Sequence, residues 1–162
     1  MNKYIGTKNI NAEPMSRMDY NILRGWEVPA DEDPLDEGYL VEYVDGGKPN
    51  MEGYVGYISW SPKEQFEAAY QSSGNMSFGH AVELMKAGCK VARQGWNGKE
   101  MFLFLVGGST FKVDRPPLLG IYPEGTEINY CPHIDMKTAD GSIVPWLASQ
   151  SDVLSSDWAM IE

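Results

Sequence analysis

The chain has 162 residues and a formal net charge of −10, with 43% hydrophobic, 12% aromatic and 22% charged residues. That much apolar surface offsets the entropy of ordering the chain and excludes a disordered polymer, while the acidic balance works against binding a long nucleic acid. No apolar run reaches the roughly 20 residues of a membrane helix, and Met1-Asn2-Lys3-Tyr4-Ile5-Gly6 lacks a signal-peptide core, so a cytoplasmic protein with no membrane partner is expected. Cys89 and Cys131 are too few for a disulfide framework and read as free thiols.

In chain order, Pro14 to Arg24 carries Met15, Met18, Ile22 and Leu23 at helical spacing, and Gly25 stops the helix. Asp31 to Glu37 is a solvated acidic loop; it lacks the glycine and closing glutamate of a calcium loop. Gly38 to Val44 and Tyr54 to Trp60 read as two strands of a hairpin around Asp45-Gly46-Gly47. Ser61-Pro62-Lys63-Glu64 predicts a helix start with Ser61 as N-cap, running to about Tyr70. Gln71 to Asn75 has no large apolar residue and reads as a linker, giving a module over residues 1–70 and a domain over residues 76–162. The first 75 residues hold 6 basic against 13 acidic side chains, so most of the negative charge lies there.

In the second half Ser77 caps a helix with Phe78, Ala81, Val82 and Met85 on one face, ended by Gly88. Cys89 to Arg93 and Met101 to Val106 read as strands joined by the turn Gly95-Trp96-Asn97-Gly98. Gly107 to Cys131 is rich in Gly and Pro and reads as an irregular excursion. Ile134 to Thr138 and Ser142 to Trp146 form another strand pair; a helical turn starts at Ser149-Gln150-Ser151-Asp152, and Trp158 to Ile161 is a final strand. The fold class is α+β: a small antiparallel sheet with a helix packed on it in the C-terminal half, plus a small α+β N-terminal module.

The residues for catalysis are sparse. His80 sits on a helix away from its apolar face, and Cys131-Pro132-His133 cannot supply the three or four ligands of a zinc site. No serine has the glycine-flanked context of a nucleophile, and Gly107-Gly108-Ser109-Thr110 lacks the lysine of a phosphate loop. No catalytic residue, metal site or cofactor is expected, and binding without chemical transformation is the reading that remains. Trp96 and Asn97 at a hairpin tip could present an indole plate, beside an Arg93 able to fork onto phosphate oxygens. Spacing alone leaves Trp96 equally able to fold back as core. Around Trp146, the polar run Ser149, Gln150 and Asp152 at a helix start can meet ribose or an anion, although simple capping by Ser149 or Ser151 explains the same residues.

Met76-Ser77-Phe78-Gly79-His80-Ala81, Val91-Ala92-Arg93-Gln94-Gly95-Trp96-Asn97-Gly98-Lys99 and Trp146-Leu147-Ala148-Ser149-Gln150-Ser151-Asp152-Val153-Leu154-Ser155-Ser156-Asp157-Trp158 resemble, in order, the second type of Thoeris anti-defence protein. The resemblance covers residues 76–162; residues 1–70 resemble a separate small phage module of unknown function. It implies a phage-encoded sponge, acting in the cytoplasm of the infected bacterial host. Such a protein binds glycocyclic ADP-ribose signals of TIR-domain immune enzymes without cleaving them, as a homotetramer with pockets between protomers; some members also hold cyclic dinucleotides. Carried over, the ligand-binding candidates are Trp96, Asn97, Ser149, Gln150 and Asp152, with Phe78 as a further one, joined by Arg93 and Trp146 of the same motifs. This sequence has Pro145 before Trp146, where members often have glycine. A similar small domain is also described as an anti-CRISPR protein, and the acidic first half suits a protein-binding inhibitor of a basic defence effector.

Overall fold

The structure is a computed structural model that describes residues 1–96 and 100–161. The chain divides into two compact units, Met1–Gln71 and Ser72–Glu162, each with its own core.

The first unit is built on an antiparallel sheet in the order β1 (Asn11–Pro14), β2 (Gly38–Tyr43), β3 (Tyr57–Pro62). The outermost strand left no trace in the hydropathy pattern, because all four of its side chains are exposed. The core is Tyr20, Leu40 and Ile58, with Met15, Leu23 and Trp60 packed against it. Helix α1 (Arg17–Arg24) starts later than its apolar spacing predicts: Ser16 caps it by accepting from the Asp19 N–H at 3.1 Å, and Gly25 ends it at φ 70°. Its buried residues are Tyr20 and Asn21; of the predicted face Met15 and Leu23 pack on the core, whereas Met18 is 42% and Ile22 68% exposed, which corrects that part of it. Asn21 is drawn inward because its side-chain amide donates to the Glu27 carbonyl at 3.3 Å, tying down the chain beyond the helix.

Ser61 does not cap the next helix. It pairs with Tyr39 in β3, its backbone committed to the ladder, and the cap position before α2 (Lys63–Ala69) falls to Pro62, which has no side-chain donor or acceptor to offer. A Cβ on Gly56 would sit 2.1 Å from the Tyr43 carbonyl oxygen, so Gly56→Ala should destabilise this unit by about 1–3 kcal/mol. Urea unfolding of the variant measures this; an unchanged midpoint would show that the backbone yields there without cost.

The second unit carries a five-stranded antiparallel sheet ordered β10 (Trp158–Ile161), β4 (Lys90–Arg93), β5 (Phe102–Val106), β8 (His133–Lys137), β9 (Ile143–Pro145). The final strand therefore does not follow β9 in space but returns to the far edge, beside β4. Directly opposed residues share a face, so Trp158 and Arg93 point to one side together with Val91, Leu103 and Met136. Helix α3 (Phe78–Lys86) packs its Ala81, Leu84 and Met85 onto that side. Gly88, at φ 89°, ends the helix. His80, read from sequence as solvent-facing, is half-buried at the helix start, its Nδ1 2.8 Å from Ser77 Oγ and accepting from the Ser77 N–H at 3.3 Å. Residues 73–76 run along the outer edge of β10: the Gly74 N–H donates to the Trp158 carbonyl at 2.9 Å, and Ser73 Oγ accepts from the Met160 N–H at 3.0 Å.

The excursion is more ordered than its composition predicts, since β6 (Ser109–Lys112) and β7 (Glu127–Tyr130) pair within it as an antiparallel ribbon. Four-residue strands separated by a long Pro/Gly-rich return give too short a pattern to be read as a hairpin.

Candidate ligand-binding site

The return of β10 to the side of β4 assembles residues that are about 60 positions apart in the chain. Asp157, just before β10, accepts from Arg93 Nε at 2.8 Å on Oδ1 and from the Gly95 N–H at 3.0 Å on Oδ2. Ser155 Oγ also bonds to Asp157 Oδ1. Arg93 Nη1 donates to Asp152 Oδ1 at 2.8 Å, so the guanidinium bridges two carboxylates. The expected fork onto phosphate is thereby corrected: the Nε and Nη1 donors of Arg93 are spent on Asp157 and Asp152, and the residue locks the loop before β10 to the end of β4. The hydrogen bonds from Arg93 and Ser155 hold the Asp157 carboxyl well below the usual carboxylate range. Burial pushes Asp152 up, but hydrogen bonds from Ser149 and Arg93 outweigh it and leave its pKa lowered.

Helix α4 (Gln150–Val153) sits above this network. Ser149 is its N-cap, with Oγ accepting from the Asp152 N–H at 3.1 Å and donating to Asp152 Oδ2 at 2.6 Å. Asp152 is thus a hub that joins the cap to Arg93, and the nearby Trp96 indole adds to the lowering of its pKa. Ser149 and Gln150 remain exposed at the mouth of the helix.

Beneath lies an aromatic cluster centred on Trp158, which is 0% exposed and donates its Nε1–H to the Asp152 carbonyl at 3.0 Å. Phe78 lies 5.3 Å, Trp96 5.6 Å and Trp146 6.2 Å from it between ring centroids, the last two edge-on. Trp96 is therefore half-buried and packs against the core in a T-shaped pair with Trp158, rather than standing as a free plate at a hairpin tip. The structure brings together Phe78, Arg93, Trp96, Trp146, Ser149, Gln150 and Asp152; Asn97 lies outside the described residues. Sequence reasoning missed Asp157 and Trp158 as parts of this assembly. The nearest signal was the pair Ser155 and Asp157, which builds a local turn with the Asp157 N–H donating to Ser155 Oγ at 3.3 Å.

Among the described residues no group of three or more His, Cys, Asp or Glu side chains is placed to hold a metal ion. His133 instead meets the Cys131 carbonyl at 3.1 Å, and both cysteines are free.

The second unit is thus a small α+β domain in which an aromatic cluster and an arginine–carboxylate lock support an exposed polar helix mouth. Residues 76–161 match the Tad2-like family, described as the Thoeris anti-defense 2-like domain, and the chain belongs to that family. It is similar to the protein named Thoeris anti-defense 2 of Bacillus phage SP01, 44% identical over 86 residues, which cover 53% of this chain and 94% of that protein. The family match runs through the β6–β7 excursion; residues 1–75 lie outside it.

Proposed function

We propose that the second unit is a phage anti-defence module that sequesters a cyclic nucleotide immune signal, of the glycocyclic ADP-ribose kind, without cleaving it. Family membership supports the anti-Thoeris role. The single observation that carries the binding reading is the convergence of Trp96, Trp146 and Phe78 with the Ser149–Gln150–Asp152 mouth around one buried indole. A nucleotide of this kind offers an adenine face to an aromatic side chain and ribose hydroxyls to serine and glutamine groups. Arg93 takes part as a positioning residue, holding Asp152 and Asp157 in place. Leu147 and Leu154, on either side of α4, are 91% and 81% exposed. Exposed apolar residues flanking a polar mouth suit a pocket completed by a second protomer, in keeping with a homotetramer. Among the described residues no helix is long and apolar enough to cross a membrane.

Purified protein incubated with the signal and then denatured by heat should release it intact; a hydrolysed product would end the sponge reading. Trp96→Ala should weaken binding by about 10- to 100-fold in calorimetric titration, the range of one base–indole stack. Gln150→Ala, at an exposed position, should weaken it without touching the core. Full affinity in both variants would place the ligand elsewhere.

A second reading concerns the first unit. There α1 and its flanks expose Ile22 at 68%, Trp26 at 55% and Leu35 at 79%, next to the acidic loop, an arrangement that suits a protein partner with a basic surface. Co-purification of Cas9 with the full chain, insensitive to Trp96→Ala, would favour this inhibitor role.

A further inference from the structure

The excursion between β5 and β8 holds a cavity whose lining shares no residue with the Arg93 network. In the β6–β7 ribbon Ser109 opposes Tyr130 and Phe111 opposes Ile128, so these four share one face, while Thr110, Lys112, Glu127 and Asn129 share the other. Phe111 meets Tyr130 edge-on, with ring centroids 5.3 Å apart. The chain leaving β6 forms the rim beside the apolar face and is pinned there. Val113 is 1% exposed, its N–H donates to the Thr126 carbonyl at 2.9 Å, and its carbonyl accepts from the Gly125 N–H at 2.8 Å. The rim then closes on itself through the Leu119 N–H, which donates to the Arg115 carbonyl at 2.9 Å.

Between rim and ribbon lies a cavity of about 380 Å³, lined among others by Ser109, Phe111, Asp114, Arg115, Leu118 and Tyr130. That volume falls in the ordinary range of small-molecule sites. The chemistry of the lining is specific. Two aromatic rings provide an apolar wall, and among the described residues the Arg115 guanidinium and the Asp114 carboxylate have no ion-pair or hydrogen-bond partner on the protein. An unpaired, exposed guanidinium keeps its donor fork free, and that fork matches the two oxygens of a carboxylate or phosphate. Asp114 adds an acceptor for a ring N–H. The walls are held by backbone hydrogen bonds, so no large rearrangement is needed before a ligand enters.

We propose that this cavity is a second ligand site, taking a planar heteroaromatic ring that bears one anionic group, a carboxylate or a phosphate monoester. The ring packs against Phe111 and Tyr130, and the anion faces Arg115. None of these residues belongs to the Trp158 cluster or to the Arg93–Asp152–Asp157 network, so the inference stands or falls independently of the sponge reading.

Titrating the ¹⁵N-labelled full chain with indole-3-acetate, phenyl phosphate and indole tests it. Saturable shifts are expected at the amides of Ser109, Phe111 and Tyr130 and not at Gly95 or Ser149. At least one of the two acids should bind about tenfold more tightly than neutral indole, the low end of what a charge-assisted hydrogen bond contributes. A preference between the acids identifies the carboxylate or the phosphate as the natural anion. Arg115→Gln should abolish the advantage of the acids while leaving the amide spectrum otherwise folded. The proposal is overturned if no probe gives saturable shifts at those three amides, if the shifts map to α4 instead, or if Arg115→Gln leaves the preference for the acids intact.

Discussion

Trp158→Ala is expected to leave the second unit without a cooperative folding transition, or with one shifted down by most of its stability. The indole is 0% exposed and touches Phe78, Trp96 and Trp146, so its removal takes away the centre around which three other rings are arranged. Truncating a buried tryptophan costs about 3–5 kcal/mol through lost transfer energy and an unfilled cavity. The Asp152 carbonyl also loses its 3.0 Å donor, a further cost of about 1 kcal/mol. Against a total of about 5–15 kcal/mol for a small domain, little remains. Trp158→Phe keeps a ring in the cluster while removing the N–H and part of the indole's volume, so it should cost markedly less than alanine. Urea titration followed by near-ultraviolet circular dichroism reads both variants. An alanine variant with a wild-type midpoint would show that the cluster repacks without its centre.

Arg93→Met should destabilise the second unit by about 2–3 kcal/mol at pH 7, and this deficit should shrink as the pH is lowered. The Arg93 side chain is 20% exposed, with Asp152 at 15% and Asp157 at 31%. These values lie between a fully buried ion pair, whose breaking costs about 3–5 kcal/mol, and a surface pair worth about 0–1. In the native protein hydrogen bonding from Arg93 and its neighbours lowers the pKa of Asp157, and the net shift of Asp152 is also downward. A carboxylate with a lowered folded pKa stabilises the fold above its unfolded value, about pH 4, and loses that contribution as the pH falls through the lower folded value. Without the guanidinium the two carboxylates lose their shared cation, the lowering is relieved, and the acid-sensitive part of the stability goes with it. Unfolding midpoints of the two proteins should therefore stay a constant distance apart from pH 7 to about pH 5 and begin to draw together only as the pH falls below about 4. A gap that stays constant below that point would mean that the stability Arg93 contributes does not depend on the ionised carboxylates it bridges.

Much of the secondary structure was legible. Alternating side chains marked β2, a nearly all-apolar run marked β5, and the glycines at positions 25 and 88 ended their helices at φ 70° and 89° as glycine at a helix end should. The failures have identifiable physical causes. β1 is invisible to hydropathy because both of its faces are exposed, and its pairing to β2 is a property of backbone hydrogen bonds alone. Ser61 carries a good capping sequence, yet its backbone was claimed by the ladder with Tyr39, since tertiary pairing overrides a local signal worth about 1 kcal/mol. Met18 and Ile22 kept helical spacing but not burial, because the core selected Tyr20 and Asn21.

At the candidate site the same division holds. The sequence by itself determined which residue types were present and which local motifs they formed: the cap at Ser149 with Asp152, the tryptophan-bearing turn after β4, and the family resemblance that joins them. Only the tertiary structure decided what Arg93 does. In sequence it reads as a cation free to fork onto phosphate oxygens. In the fold, the return of β10 to the edge beside β4 delivers Asp157 to its Nε and α4 delivers Asp152 to its Nη1, each at 2.8 Å. Local patterns encode periodicity, turns and caps because those depend on neighbours within a few residues. The partner of a charge depends instead on which strands become adjacent, and strand order is settled by the packing of a whole core around one buried indole.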